Sequence, residues 1–336
     1  MGAIPLVRVV RSGLVESVHL GHIAICDADG RLIASAGDSS RMVFARSCMK
    51  PLQAAVSLKA VGESLPDREV AVMCASHNGE PVHVGAVQAI LTRAGLEADA
   101  LRNPPGWPLD PEAMAASHLP HRLFHNCSGK HAGMLLACVR AGWDLGTYLR
   151  PSHPLQRRVR RAVLRAAGLD GVATGVDGCG VPVHGMPLRS MATLYARLAD
   201  PGRLGDLAVH AERAVRSMLA EPYLVGGRNS HDTEVMRVTG DVLAKRGAEA
   251  LECAVSLSTG LGIAVKIDDG GSRAGAPALI AALLDIGGLT QAQVHELPAF
   301  AKPPVLGGGK PVGRLEPIFD LRPAPRQPAD RTRRRT

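Results

Sequence analysis

Ser47 and Lys50, within Arg46-Ser47-Cys48-Met49-Lys50-Pro51, lie three residues apart, a spacing that puts both on one face of a helix about one turn apart. That arrangement can make a nucleophile and its base. A serine hydroxyl attacks poorly at neutral pH, and an adjacent amine accepts its proton only if desolvation or a neighbouring cation holds the lysine neutral. Pro51 fits within the first turn of a helix, where its missing N–H would have had no partner, and Leu52, Ala55, Val56 and Lys59 continue at helical spacing. Ser47 then stands at the positive end of that helix, where developing negative charge is stabilised. The competing reading is a plain N-cap serine with a solvated lysine.

Three further clusters put reactive side chains among glycines, outside any periodic apolar pattern. Cys74-Ala75-Ser76-His77-Asn78-Gly79-Glu80 follows the apolar run Val70 to Met73. His125-Asn126-Cys127-Ser128-Gly129-Lys130-His131 concentrates groups able to bind a proton, a metal or a substrate. In Gly175-Val176-Asp177-Gly178-Cys179-Gly180-Val181-Pro182, Asp177 and Cys179 alternate across one expected extended segment. Cys127, Lys130 and Cys179 could hold a metal, since thiolates are preferred soft ligands for zinc and a deprotonated lysine is a rare third. The spacing is no recognised zinc pattern, and buried small hydrophobes are the alternative for each cysteine. Cys26, Cys48, Cys138 and Cys253 take that bland reading. For His77 and His131 a satisfied structural histidine competes with a functional one, whereas His19, His22, His153 and His210 read as structural.

These groups need elements to position them. His22 to Cys26 and Arg31 to Ser35 alternate around Asp27-Ala28-Asp29-Gly30, which predicts a hairpin. Cys253 to Leu257 and Gly262 to Ile267 form a second apolar pair around Ser258-Thr259-Gly260, followed by a helical run from Ala276 to Ile286. Between Val87 and Leu219 apolar residues recur at helical spacing, with glycine- and proline-rich breaks at 103–111 and 175–187. The expectation is an α+β fold, with one antiparallel sheet assembled from both chain ends and a helical region inserted.

The 336 residues, 46% hydrophobic, can bury a large core. Seven cysteines without a Cys-x-x-Cys pair argue against a disulfide framework and for a reducing compartment. Arg8 and Arg11 interrupt the opening apolar run, and no apolar stretch approaches a membrane span, so a cytoplasmic location with no membrane association is expected. The net charge is +8, but residues 322–336 hold six arginines against Asp330 and account for five of those charges. Their prolines make residues 319–336 read as a disordered Arg/Pro-rich tail behind a catalytic domain over 1–318. Arg157, Arg158, Arg160, Arg161 and Arg165 alternate with Leu155, Val159, Val163 and Ala166 as the wet face of an amphipathic helix. With 3% aromatic residues, stacking platforms are scarce, which argues against a nucleic-acid partner.

Read in order, Ser47-x-x-Lys50, Cys74 to Glu80, Asn126 to Met134, Asp177-Gly178-Cys179 and Lys245-Arg246-Gly247-Ala248-Glu249 resemble the rhizobial-type (class 3) L-asparaginases, the asparaginase II family. Gly13 to His19 and Tyr223 to Gly227 fit as well, so the resemblance spans about residues 5 to 318. It implies an amidohydrolase that converts L-asparagine to L-aspartate and ammonia, on a fold similar to serine β-lactamases and penicillin-binding proteins, as a homodimer. By position, Ser47 with Lys50 and Ser76 with Lys245 are implied to form two Ser-Lys tandems, with Ser47 as the acyl-accepting nucleophile. Cys127, Lys130 and Cys179 match zinc ligands, with Asp177 and His131 beside them and the metal modulating substrate affinity. Arg46, His77 and Asn78 are implied to bind the α-carboxylate and amine. Two departures stand out: Asn229-Ser230-His231-Asp232-Thr233 differs from an expected Arg-Phe-Asp-Thr run, and Ala250 replaces the glycine expected after Glu249. A penicillin-recognising serine hydrolase, a broader amidase and a non-catalytic metal- or thiol-dependent binding protein are the competing classes.

Overall fold

A computed structural model describes residues 2–324. The sheet does draw on both chain ends. Strands β1 (Ile4–Arg11), β2 (Leu14–Cys26) and β3 (Leu32–Ala36) come from the beginning, and β7 (Val242–Gly247), β8 (Leu251–Ser256), β9 (Gly262–Ile267), β10 (Pro304–Gly307), β11 (Lys310–Pro317) and β12 (Arg322–Pro323) from the end. They join in the order β10-β11-β1-β2-β9-β8-β7, with β3 and then β12 branching from β2. All pairs are antiparallel. The 13-residue β2 makes this possible: its first part pairs β1, and its second part lies between β9 and β3. Residues Leu20 to Cys26, buried at all but Leu20, form the centre of the sheet.

Between β4 (Met42–Phe44) and β7 runs the helical region: α1 (Lys50–Val61), α2 (Asp67–Met73), α3 (Pro81–Ala94), α4 (Pro111–Ala115), α5 (Ser128–Ala141), α6 (Pro154–Ala167), α7 (Leu188–Ala199), α8 (Ala208–Ala220), α9 (Pro222–Gly226) and α10 (His231–Thr239). After β9, α11 (Gly275–Asp285) returns along the sheet. Pro51 does occupy the first turn of α1. The glycine- and proline-rich break at 175–187 is corrected: β5 (Ala173–Val176) and β6 (Pro182–Pro187) pair there with β4 in a second, three-stranded sheet. Sheet pairing supplies the backbone partners that composition alone did not reveal. The tail is corrected in part as well. Phe319 and Leu321 pack against the core and Arg322-Pro323 pair with Ser35-Ala34, so residues 319–324 are ordered on β3; residues 325–336 lie outside the described residues.

Glycines set how closely two site-bearing helices approach. A Cβ on Gly129 would run into the Val72 carbonyl, and one on Gly133 would lie 2.6 Å from the Met73 methyl, so both positions of α5 must be bare against α2. That contact brings the chain leaving α2, Cys74 to Asn78, beside the first turn of α5. All seven cysteines are free and buried, and no helix among the described residues is long and apolar enough to cross a membrane.

Candidate active site

Arg46–Met49 forms a short 3-10 turn that runs directly into α1. Arg46 has φ +44°, a left-handed conformation costly for a side chain of its size, and its Nε donates to Asp177 Oδ1 at 2.8 Å. Backbone strain therefore sits one residue before Ser47, which is half-buried. The Lys50 side chain turns inward and is 1% exposed. Its Nζ donates to the Ala75 carbonyl, to Ser76 Oγ at 3.0 Å and to the Asn126 carbonyl at 3.3 Å. Burial draws this lysine down to about 8; Lys245 and Lys130 push the same way, and Cys127 opposes them.

The two lysines are paired differently from the sequence expectation. Lys50 takes Ser76, and among the described residues no hydrogen bond joins Lys50 Nζ to the Ser47 hydroxyl. Lys245, fully buried on β7, bonds not Ser76 but Asp232 Oδ2 at 3.0 Å and the Arg246 carbonyl at 2.8 Å. Asp232 Oδ1 accepts the Arg246 N–H at 2.8 Å. Burial works to raise the Asp232 carboxyl, but Lys245, His231 and Arg246 outweigh it and hold it well below the usual carboxylate range. His231 Nε2 lies 2.8 Å from Glu252 Oε2, and Glu252 with Asp232 raises the imidazole against the opposing effect of burial. The His231–Asp232–Glu252 group thus already has its cations in Lys245 and His231.

The thiol cluster is brought together as expected, though from a turn and not an extended segment: Asp177 N–H bonds the Val181 carbonyl and Gly180 N–H the Asp177 carbonyl, closing the link between β5 and β6. Lys130, in the first turn of α5, places Nζ 2.9 Å from Cys179 Sγ. Cys179 Sγ donates to Asp177 Oδ2 at 3.6 Å; the closeness of Cys179 lowers the Cys127 thiol well below its ordinary value, and Cys127 together with burial raises that of Cys179. Burial would lower the Lys130 ammonium, but Cys179 and Cys127 outweigh it and raise it. Two buried cysteines and a buried lysine therefore share one pocket of soft and nitrogen donors. Next to them His131 bonds the Tyr148 hydroxyl through Nδ1 at 2.7 Å, while its Nε2 is buried without a partner. This donor set fits zinc.

His77 is completely buried, with Nε2 on Ser128 Oγ at 2.9 Å and Nδ1 accepting the Gly79 N–H at 3.1 Å, so its ring holds the loop and is closed to open space. Asn78 donates to the Arg228 carbonyl at 2.7 Å, and its Oδ1 lies 3.4 Å from Arg246 Nη2, which is also 3.5 Å from the Ser76 carbonyl. Asp232, Arg246 and Tyr148 were missed as site residues. For Asp232 a signal existed, because the Asp-Thr end of the expected run is retained at 232–233.

No curated protein matches the sequence. Among solved structures, a β-lactamase from Mycobacterium bovis shares 18% identity, with 80% of this chain and 95% of that chain covered at a TM-score of 0.45. A probable glutaminase from Bacillus subtilis complexed with 6-diazo-5-oxo-L-norleucine shares 13%, covering 84% and 90% at 0.35. Simvastatin synthase from Aspergillus terreus shares 13%, covering 79% and 93% at 0.41. Sequence comparison is far more direct: residues 7–317, which include every element carrying the two lysines, the serines and the thiol cluster, match the L-asparaginase II family, and the chain belongs to that family of amidohydrolases.

Proposed function

We propose that the protein hydrolyses the side-chain amide of L-asparagine to L-aspartate and ammonia through an acyl-enzyme on Ser47. One observation carries this reading: a buried lysine drawn to about 8 hydrogen-bonds the Ser76 hydroxyl at 3.0 Å and stands three residues after a half-buried serine. Neutral Lys50 takes the Ser47 proton as Oγ bonds the amide carbon. Ser76 passes a proton to the departing nitrogen and regains one from Lys50, so ammonia leaves neutral. Water then attacks the ester, and Lys50 accepts its proton and returns it to the departing Ser47 Oγ, which restores both groups. We assign recognition of the substrate's α-groups to Arg46, Asp177, His131 and Asn78, with His77 holding that loop from behind.

Cys127, Lys130 and Cys179 would hold zinc. Bound there, the metal would supply fixed positive charge beside Asp177 and His131, favouring substrate binding over any change in the reacting bond.

The test is ammonia release from L-asparagine with trapping of the acyl-enzyme by mass spectrometry. Ser47→Ala should lower kcat by a factor on the order of 10⁶ with the fold intact. An ester on Ser76, or Ser47→Ala activity within tenfold of the parent, refutes this assignment. A site that clamps the α-groups rigidly should also reject L-glutamine, whose extra methylene displaces the amide carbon from attack geometry, by roughly 10²-fold in kcat/KM. A ratio near one would instead mark a broader amidase.

A further inference from the structure

A strongly basic surface runs along α6. Its fourteen residues, Pro154–Ala167, include Arg157, Arg158, Arg160, Arg161 and Arg165 and no acid. All five arginines are exposed, and among the described residues none is in an ion pair, whereas Arg8, Arg46, Arg93, Arg213 and Arg228 each are. A solvated amphipathic face gains nothing from this pattern. Arg157 with Arg161, Arg158 with Arg161, and Arg161 with Arg165 stand three or four residues apart, where like charges destabilise a helix.

The arginines rim a cavity. About 570 Å³ in volume, it lies between α6, α1 and the turn at 201–207. Arg158, Arg161, Arg165 and Lys59 line it against a single acid, Asp206, which Lys59 already pairs, and Leu207 contributes to an apolar part of the wall. Two of the guanidinium groups are held in place. Arg158 sits 4.9 Å above the centre of the Trp143 ring, and Arg165 occupies the space in which a Cβ on Gly205 would stand, a position whose φ of +60° suits glycine. A second cavity of about 440 Å³ adjoins it along Arg157 and Arg160.

We infer that the cavity binds a small molecule carrying a diphosphate group. A net excess of three positive charges, delivered mostly by planar guanidinium forks, matches phosphate oxygens that accept two parallel hydrogen bonds from each fork. The apolar wall and the volume leave room for an organic moiety beyond the diphosphate. The field of unpaired cations draws such a ligand in and weakens as salt screens it.

Calorimetric titration of the full chain with pyrophosphate and with ADP tests the site. Each should saturate at one molecule per chain at about 50 mM salt and weaken at least tenfold at about 500 mM. Tighter binding of ADP means that the nucleoside is seated as well, and equal binding means that the diphosphate alone is recognised. Arg161→Glu should cut affinity about tenfold or more, whereas Arg157→Glu, the same charge change on the same helix outside the larger cavity, should cost less than about threefold. Circular dichroism checks that both variants are folded, and Arg161→Gln gives the same comparison with a milder change. Equal losses in the two Glu variants would mean a diffuse surface field, unchanged affinity in Arg161→Glu would place the anion elsewhere on the chain, and tighter, length-dependent capture of an oligonucleotide would mean a polyanion surface; each overturns the proposal.

Discussion

Removing either member of the Asp232–Lys245 pair should destabilise the protein with opposite dependences on pH. Both side chains are fully buried and 3.0 Å apart. Breaking such a pair from one side typically costs about 3–5 kcal/mol, because a charge is left in a medium that cannot solvate it. That cost has a ceiling, since the orphan can give up its charge. In Asp232→Asn the ceiling is the work of removing the Lys245 proton, about 1.4 kcal/mol for each pH unit below the ordinary lysine value, hence about 5 kcal/mol at pH 7 and about 2 at pH 9. The unfolded variant then binds more protons than the folded one, so its stability rises with pH. In Lys245→Met the orphan is Asp232, which escapes by taking a proton. The ceiling there is about 4 kcal/mol at pH 7 and about 1.5 at pH 5, further reduced because His231 remains 3.4 Å from Asp232 Oδ1. The folded variant now binds the extra proton, so its stability falls as pH rises.

Urea unfolding followed by circular dichroism, run on the parent, both single variants and the double variant at several pH values, reads these energies directly. Asp232→Asn with Lys245→Met should cost less than the sum of the two single changes by at least about 2 kcal/mol. Single-variant losses under about 1 kcal/mol at pH 7, or losses whose slopes with pH share a sign, would refute the assignment of this contact as a buried, charged pair.

Three further outcomes are expected. With Lys50 as base, kcat/KM should climb about tenfold per pH unit on the acid side and level off near pH 8, where burial places this lysine, and Lys50→Met should abolish the limb together with the activity; a flat profile between pH 6 and 8 contradicts the role. Zinc uptake should release about two protons, from the Cys127–Cys179 pair and the Lys130 ammonium, so affinity should rise with pH; calorimetry in buffers of differing ionisation enthalpy counts them, and Cys127→Ser with Cys179→Ser should remove the binding. Ala250, at φ +49° in the turn joining β7 to β8, occupies a conformation that glycine adopts freely, so Ala250→Gly should raise stability by roughly 0.5–1 kcal/mol in thermal unfolding, and a loss would show that the methyl packs productively.

That turn shows how far the sequence could be read. The expectation of glycine after Glu249 was sound as conformational chemistry, because Glu249 and Ala250 both have positive φ; the chain keeps the left-handed turn and carries the strain. Asn229, in the other departing segment, likewise has φ +57°, a conformation asparagine tolerates better than most side chains. The hairpin through Asp27 to Gly30 and the pair around Ser258 to Gly260 were legible because alternating apolar residues meet turn residues within a few positions. The β4-β6-β5 sheet was not. Its strands are three to six residues long, β5 and β6 carry glycine or proline, and β4 is separated from β6 by more than a hundred residues, so no local pattern marks them.

The lysine partners were hidden for a related reason. Spacing places Ser47 and Lys50 near one another, yet in a 3-10 turn it is the backbone that spends this proximity, as the Lys50 N–H bonds the Ser47 carbonyl. The four-carbon side chain is then free to reach whatever the tertiary fold supplies, here oxygens of Ala75, Ser76 and Asn126 from two other segments. None of those oxygens carries a charge, whereas Lys245 faces the Asp232 carboxylate. Burial beside neutral acceptors favours loss of a proton, the direction in which Lys50 is drawn. The proposed role of Lys50 as base therefore rests on which oxygens surround it, since its partners are neutral.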